Sequence, residues 1–170
     1  NVDRESGEFS VPDLRKTLRM IADTKGVRKI HVIAHSRGTD VFSSAFQQMA
    51  IESYSQRSST HKRFKVDNII LAAPDMDIDV AYTRVRAIVS DPDLPFGDTV
   101  DYRAPFHPDE IRLTVYASKN DTALNVSKEL FGSNFRLGQI AKEHHDKTDT
   151  SFNGAAEFIS VDDELSLIHI

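Results

Sequence analysis

The sequence predicts an α/β fold, a mostly parallel sheet with helices on both faces. Three observations carry this prediction. Short apolar, β-branched runs alternate with longer stretches of helical periodicity, the pattern of βαβ units. The run Asp67–Ala73 becomes continuously apolar from Ile69, as expected of a central parallel strand covered on both faces. Each strand-like run also ends in a loop rich in reactive side chains, and open α/β sheets gather their functional groups beyond the C-terminal ends of the strands.

Taken in order, Ser10-Val11-Pro12-Asp13 reads as a helix start, with a capping serine and then proline and an acid in the first turn. Val11, Leu14, Leu18 and Ile21 make its apolar face, and Lys25-Gly26 its end. A first strand is expected over about 29–34. A helix follows from about Arg37 to Tyr54, with Val41, Phe42, Ala45, Phe46, Met49 and Ala50 as its buried stripe. Residues 55–65 read as a polar, basic surface loop. The second strand covers Asp67–Ala73, and a helix runs from Asp77 to Val89. Residues 90–108, with four prolines, read as an irregular loop. Ile111–Ala117 is the third strand, Thr122–Phe131 a short helix closed by Gly132, and Ala156–Val161 a fourth strand.

Composition bounds the function. The chain has 170 residues, enough for one domain with a real core. A net charge of −5 argues against a nucleic-acid partner. No apolar run approaches the roughly 20 residues that cross a membrane. There are no cysteines, so disulfides and thiolate metal sites are excluded, and cysteine usage does not locate the protein in a compartment.

The stretch that organises the chain is Ile30–Asp40. Its β-branched run ends at Ala34-His35-Ser36-Arg37-Gly38, and helical periodicity begins directly afterwards. This is a variant of the Gly-x-Ser-x-Gly nucleophile elbow. Small residues two before and two after the serine suit a tight strand-to-helix turn, which lifts the hydroxyl above the sheet. The backbone N–H of Arg37 would point to the same place and supply one oxyanion-hole donor, helped by the positive end of the helix. The simpler reading of Ser36 is an ordinary helix N-cap.

Three segments, IHVIAHSRGTD (30–40), IILAAPDMDID (69–79) and LTVYASKNDTAL (113–124), resemble a bacterial α/β-hydrolase family long catalogued as a domain of unknown function. Its members carry a similar His-Ser-x-Gly elbow, an Ala-Pro-Asp-x-Asp after the next strand, and a Tyr-Ala-Ser-x-x-Asp before an Ala-Leu helix start. The resemblance runs from about Leu14 to Val161. It implies a partial α/β-hydrolase fold without the N-terminal strands, and serine-hydrolase chemistry on small-molecule carboxylic esters. By position, Ser36 matches the nucleophile and Asp121 the triad acid that orients the histidine. Asp75 is the alternative acid, since some relatives place it one strand earlier. Otherwise Asp75 and Asp77 cap the following helix and line the site rim, together with His35. Asp121 alone would also serve as a helix N-cap.

The family places its histidine in a loop after the last strand. His169 lies ten residues after Ile159 and is the candidate. His144 and His145 precede that strand, and read as exposed loop histidines. His144-His145-Asp146 lack the spread of ligands a closed metal site needs. No metal and no cofactor are expected.

The chain begins without methionine, and Leu165–Ile170 resemble a translated sequencing-adapter tail. A single domain is therefore expected over residues 1–164, with 165–170 non-native. The chain is expected to be a fragment, weak or inactive alone, of a longer serine hydrolase. The reading from another class is a non-catalytic α/β domain that binds or scaffolds a partner.

Overall fold

The computed structural model describes residues 2–89, 111–125, 136–139 and 156–161. Its elements are α1 (Val2–Asp23), β1 (Ile30–His35), α2 (Arg37–Ser55), α3 (Thr60–Phe64), β2 (Val66–Ala72), α4 (Ile78–Val89), β3 (Arg112–Ala117) and β4 (Glu157–Ser160), with a 3₁₀ turn at Leu137–Gln139. The four strands form one sheet in the order β1-β2-β3-β4, all parallel. The expected α/β class and the four expected strands are present, each within a residue or two of its expected limits. The expected loop over 90–108 lies outside the described residues, as does most of the helix expected over 122–131.

A sheet whose strands follow one another in a single direction has a simple consequence. Right-handed crossovers then put every connecting helix on the same face. The structure has this arrangement. Phe42, Phe46 and Met49 of α2, Phe64 of α3, Ala81 of α4, and Leu18 and Ala22 of α1 share one buried cluster with Ile69, Leu71, Leu113 and Val115. Those four strand residues belong to a single face of the sheet, by pairing and by alternation. Among the described residues the helices therefore lie on one face. On the other, His31, Ile33 and His35 are exposed.

The helices differ from expectation in three places. α1 begins at Val2 and carries Pro12 in its interior. The ring deletes one i→i−4 hydrogen bond, but tertiary packing holds the extension. Val11 is buried, and a β-carbon on Gly7 would lie 3.5 Å from Val41 of α2. On the same helix Ala22 is buried while Ile21 is exposed, so the apolar stripe is Val11, Leu14, Leu18 and Ala22, with Leu14 half-buried against the core. The loop expected over 55–65 contains α3. Ser59 caps it by accepting from the Lys62 N–H at 3.2 Å, and Phe64 anchors it in the core. In α2, the expected stripe is buried except for half-buried Val41, and Phe42 stacks on Phe46 at 5.3 Å.

Charged side chains join the helices along their outer edges. Glu52 of α2 receives Arg19 of α1 and Arg63 of α3, and Arg84 of α4 bonds Asp40 of α2. At the N-terminal edge of the sheet, Lys29 Nζ donates to both oxygens of Asp67, at 2.9 and 3.0 Å. The Lys29 hydrogen bond holds the Asp67 carboxyl below its ordinary pKa against the opposing effect of burial, with smaller help from the charges of Lys29, His61 and His31. A depressed carboxyl stabilises the fold above its unfolded pKa, and that contribution is lost as pH falls through the folded value. Asp67→Asn is thus expected to cost up to about 1 kcal/mol at pH 7. Denaturation at several pH values should show the gap from wild type closing as pH falls below about 4.

Candidate active site

The Ile30–Asp40 stretch folds as strand, one-residue turn and helix. The Ser36 N–H donates to Ala72 O of β2 at 3.0 Å, so the sheet ladder runs one residue past β1. Ser36 itself has φ 51° and ψ −127°, far from the β-region geometry of ordinary N-caps. Its hydroxyl makes no capping hydrogen bond. A non-glycine residue held at positive φ costs about 1–3 kcal/mol, and here the surroundings hold it there. The Ser36 carbonyl accepts from the Thr39 N–H at 3.0 Å, the Thr39 hydroxyl at 2.6 Å and the Asp75 N–H at 3.4 Å. Thr39 is fully buried. Glycine tolerates this conformation but is more flexible when unfolded. Ser36→Gly is therefore expected to raise stability by about 1 kcal/mol, read as a higher denaturation midpoint with unchanged m.

The small residues flanking Ser36 are not equivalent. Ala34 is buried against the helical layer, whereas a β-carbon on Gly38 would meet nothing within 4 Å among the described residues. Tight packing thus accounts for Ala34 and not for Gly38.

Arg37 is the first residue of α2, so its N–H lies outside the helix's own hydrogen-bond ladder. Its guanidinium reaches across to Asp75, Nη1 to Oδ2 at 4.0 Å. Asp75 is buried and also faces Arg136, Nη1 to Oδ1 at 3.6 Å. The two acids on the β2–α4 loop therefore differ. Asp77 caps α4, its Oδ1 accepting from the Asp79 N–H at 2.9 Å. The Asp75 carboxylate, expected to cap the same helix, is instead engaged by two arginines.

Asp121 stands in the loop after β3. Its Oδ1 accepts from the N–H groups of Ala123 and Leu124, at 3.0 and 3.2 Å, and so caps the helical turn that starts at residue 122. Among the described residues its Oδ2 takes no hydrogen bond. Ser36 directly follows β1 and Asp121 lies in the loop four residues past β3, both beyond the C-terminal edge of the sheet, with β2 between those two strands. Two interstrand steps separate these strands by about 10 Å.

His35 ends β1, exposed and on the face opposite the described helices. His31 and His61 lie toward the other edge of the sheet, His31 accepting from Asn68 and His61 bonded to Val66 O. His107, His144, His145 and His169 lie outside the described residues. Among the described residues no three His, Asp or Glu side chains gather as metal donors, and no helix is long and apolar enough to cross a membrane.

Sequence reasoning missed Thr39, which fastens the elbow carbonyl, and the segment Arg136–Gln139. That segment is hydrogen-bonded to both acid-bearing loops. Leu137 N–H donates to Met76 O at 2.9 Å and Gly138 N–H to Pro74 O at 3.0 Å, while Ser118 N–H donates to Gly138 O at 2.8 Å. Its bonds and the burial of Arg136, Leu137 and Gly138 mark it as more than loop, and no local pattern in the sequence announces it.

Comparison with known proteins matches the chain to one family. No curated protein and no solved structure matched the chain. A family model described as "Alpha/beta hydrolase of unknown function (DUF900)" matches residues 1–167. With that match over nearly its whole length, on a parallel sheet with a strained serine at the first strand-to-helix turn, the chain belongs to this α/β-hydrolase family.

Proposed function

We propose that the protein is a serine hydrolase acting on small carboxylic esters through an acyl-enzyme on Ser36. The observation that carries this reading is the state of Ser36. It occupies a costly backbone conformation, fastened through its carbonyl by three donors, and its hydroxyl is not spent on capping the helix. An ordinary βα turn needs none of this. In the proposed reaction an imidazole takes the proton from Ser36 Oγ as the oxygen attacks the ester carbonyl. The Arg37 N–H stabilises the oxyanion, and Asp121 Oδ2 orients the imidazole and stabilises its protonated form. The alcohol leaves with the proton returned by the imidazole, and water then cleaves the acyl-enzyme by the same steps. Asp75 is the poorer candidate for the acid, because its carboxylate already faces Arg37 and Arg136. His169 remains the proposed base by its place after the last strand, and His35, Asp75 and Asp77 the proposed rim.

The test uses the full gene product that carries this chain. With p-nitrophenyl esters of graded acyl length, a burst of about one nitrophenol per molecule is expected before steady turnover, the signature of an acyl-enzyme. Ser36→Ala should abolish the burst. A burst that survives the substitution would move the nucleophile elsewhere, and a folded protein with no turnover would favour the binding-domain reading.

A further inference from the structure

The segment Arg136–Gln139 joins two loops that the sheet only places side by side. On one side it pairs with the β2–α4 loop, through an antiparallel bridge between Arg136 and Asp77 and the backbone bonds to Pro74 and Met76. On the other it accepts from Ser118 at the end of β3, and the Gln139 side chain reaches the Asp121 loop. Gln139 Nε2 donates to Asp121 O at 3.2 Å and to Asn125 Oδ1 at 2.7 Å. The seat is too close for a side chain at Gly138. A β-carbon there would lie 2.9 Å from both Ala73 C and Pro74 N, which are backbone atoms and cannot yield cheaply. Leu137 beside it is fully buried. Backbone bonds, a steric fit and a buried anchor thus fix the segment firmly before Gln139 is considered.

We propose that Arg136–Gln139 is a strap that sets the Asp121 carboxylate, with Gln139 as its positioning residue. The proposal rests on the reading of Asp121 as the orienting acid. The Asp121 backbone is held by the Gln139 amide, and its Oδ1 by the amides of Ala123 and Leu124. Together these bonds fix the Asp121 backbone and one of its two carboxylate oxygens, and leave Oδ2 outside the cap. Gln139 touches neither Ser36 nor any reacting atom. Its effect reaches the chemistry only through Asp121.

Gln139→Met keeps the length of the side chain and removes the donor. In the full gene product, the rate constant for labelling by a fluorophosphonate probe is expected to fall between about 10- and 100-fold, as for a catalytic group displaced by about an ångström. A carboxylate that no longer faces the imidazolium stabilises it less, so the pH limb of labelling should shift to lower pH. Amide hydrogen exchange at Ala123 and Leu124 should quicken in the same variant. If Gln139→Met does not fold, Gln139→Asn, which shortens the arm by one methylene, is read the same way. Unchanged exchange at these two amides overturns the strap, whether or not the protein labels. Quickened exchange with an unchanged labelling rate and pH limb overturns the positioning role. Labelling that survives Ser36→Ala would instead sink the hydrolase reading, and the exchange result would still decide the strap.

Discussion

Asp121→Asn is expected to lower ester turnover by about 10³–10⁴-fold with little change in melting temperature, the loss seen when a triad acid keeps its place but not its charge. A capping role and a proposed catalytic role meet in this side chain, and the substitution separates them. The helical turn after β3 is capped by Asp121 Oδ1 accepting from Ala123 and Leu124. Asparagine caps about as well as aspartate, so the turn should survive. It cannot hold an imidazole in the tautomer that accepts the serine proton, nor offset the imidazolium charge. Steady-state kinetics beside thermal unfolding give the answer. A loss below tenfold would leave Asp121 as a cap only and return attention to Asp75.

Phe46→Ala is expected to remove activity by the opposite route, through stability, at a cost of about 3–5 kcal/mol. Phe46 is fully buried at the centre of the α2 stripe and stacks on Phe42. The helix it anchors begins one residue after Ser36, so this packing also fixes where the elbow stands. A loss of this size is a large part of the 5–15 kcal/mol that holds a typical domain. Denaturant titration should show a lower midpoint with an unchanged slope, and a cost under 1 kcal/mol would mean that the helical layer does not depend on this contact.

The parts of the molecule legible in the sequence are those whose causes are local. β1, the turn at Ser36 and α2 follow from a β-branched run, a serine between small residues and an apolar stripe at helical spacing. Asp77 as a cap is likewise a local signal. What was missed depends on residues far apart in the chain. α1 runs through Pro12 while its turns pack along α2, with Val41 of α2 close enough to Gly7 that a β-carbon there would touch it. α3 has five residues and a single apolar anchor, Phe64, too short for a period to show. Asp75 reads as a cap from its neighbours, and its arginine partners Arg37 and Arg136 come from two other elements. The strap needs Gly138 because it lies on the backbone of Ala73 and Pro74, and nothing near position 138 in sequence reports that approach. The placement of the described helices on one face follows from strand order, which pairing decides and composition does not.

If the proposal holds, the strained serine of the elbow is an activated nucleophile. The most direct measurement is to treat the full gene product with a fluorophosphonate, weigh the intact protein, and map the adduct by peptide sequencing. One adduct per molecule is expected, on Ser36, and absent from Ser36→Ala. An adduct on another residue, or none on a folded protein, would mean that Ser36 is not the nucleophile.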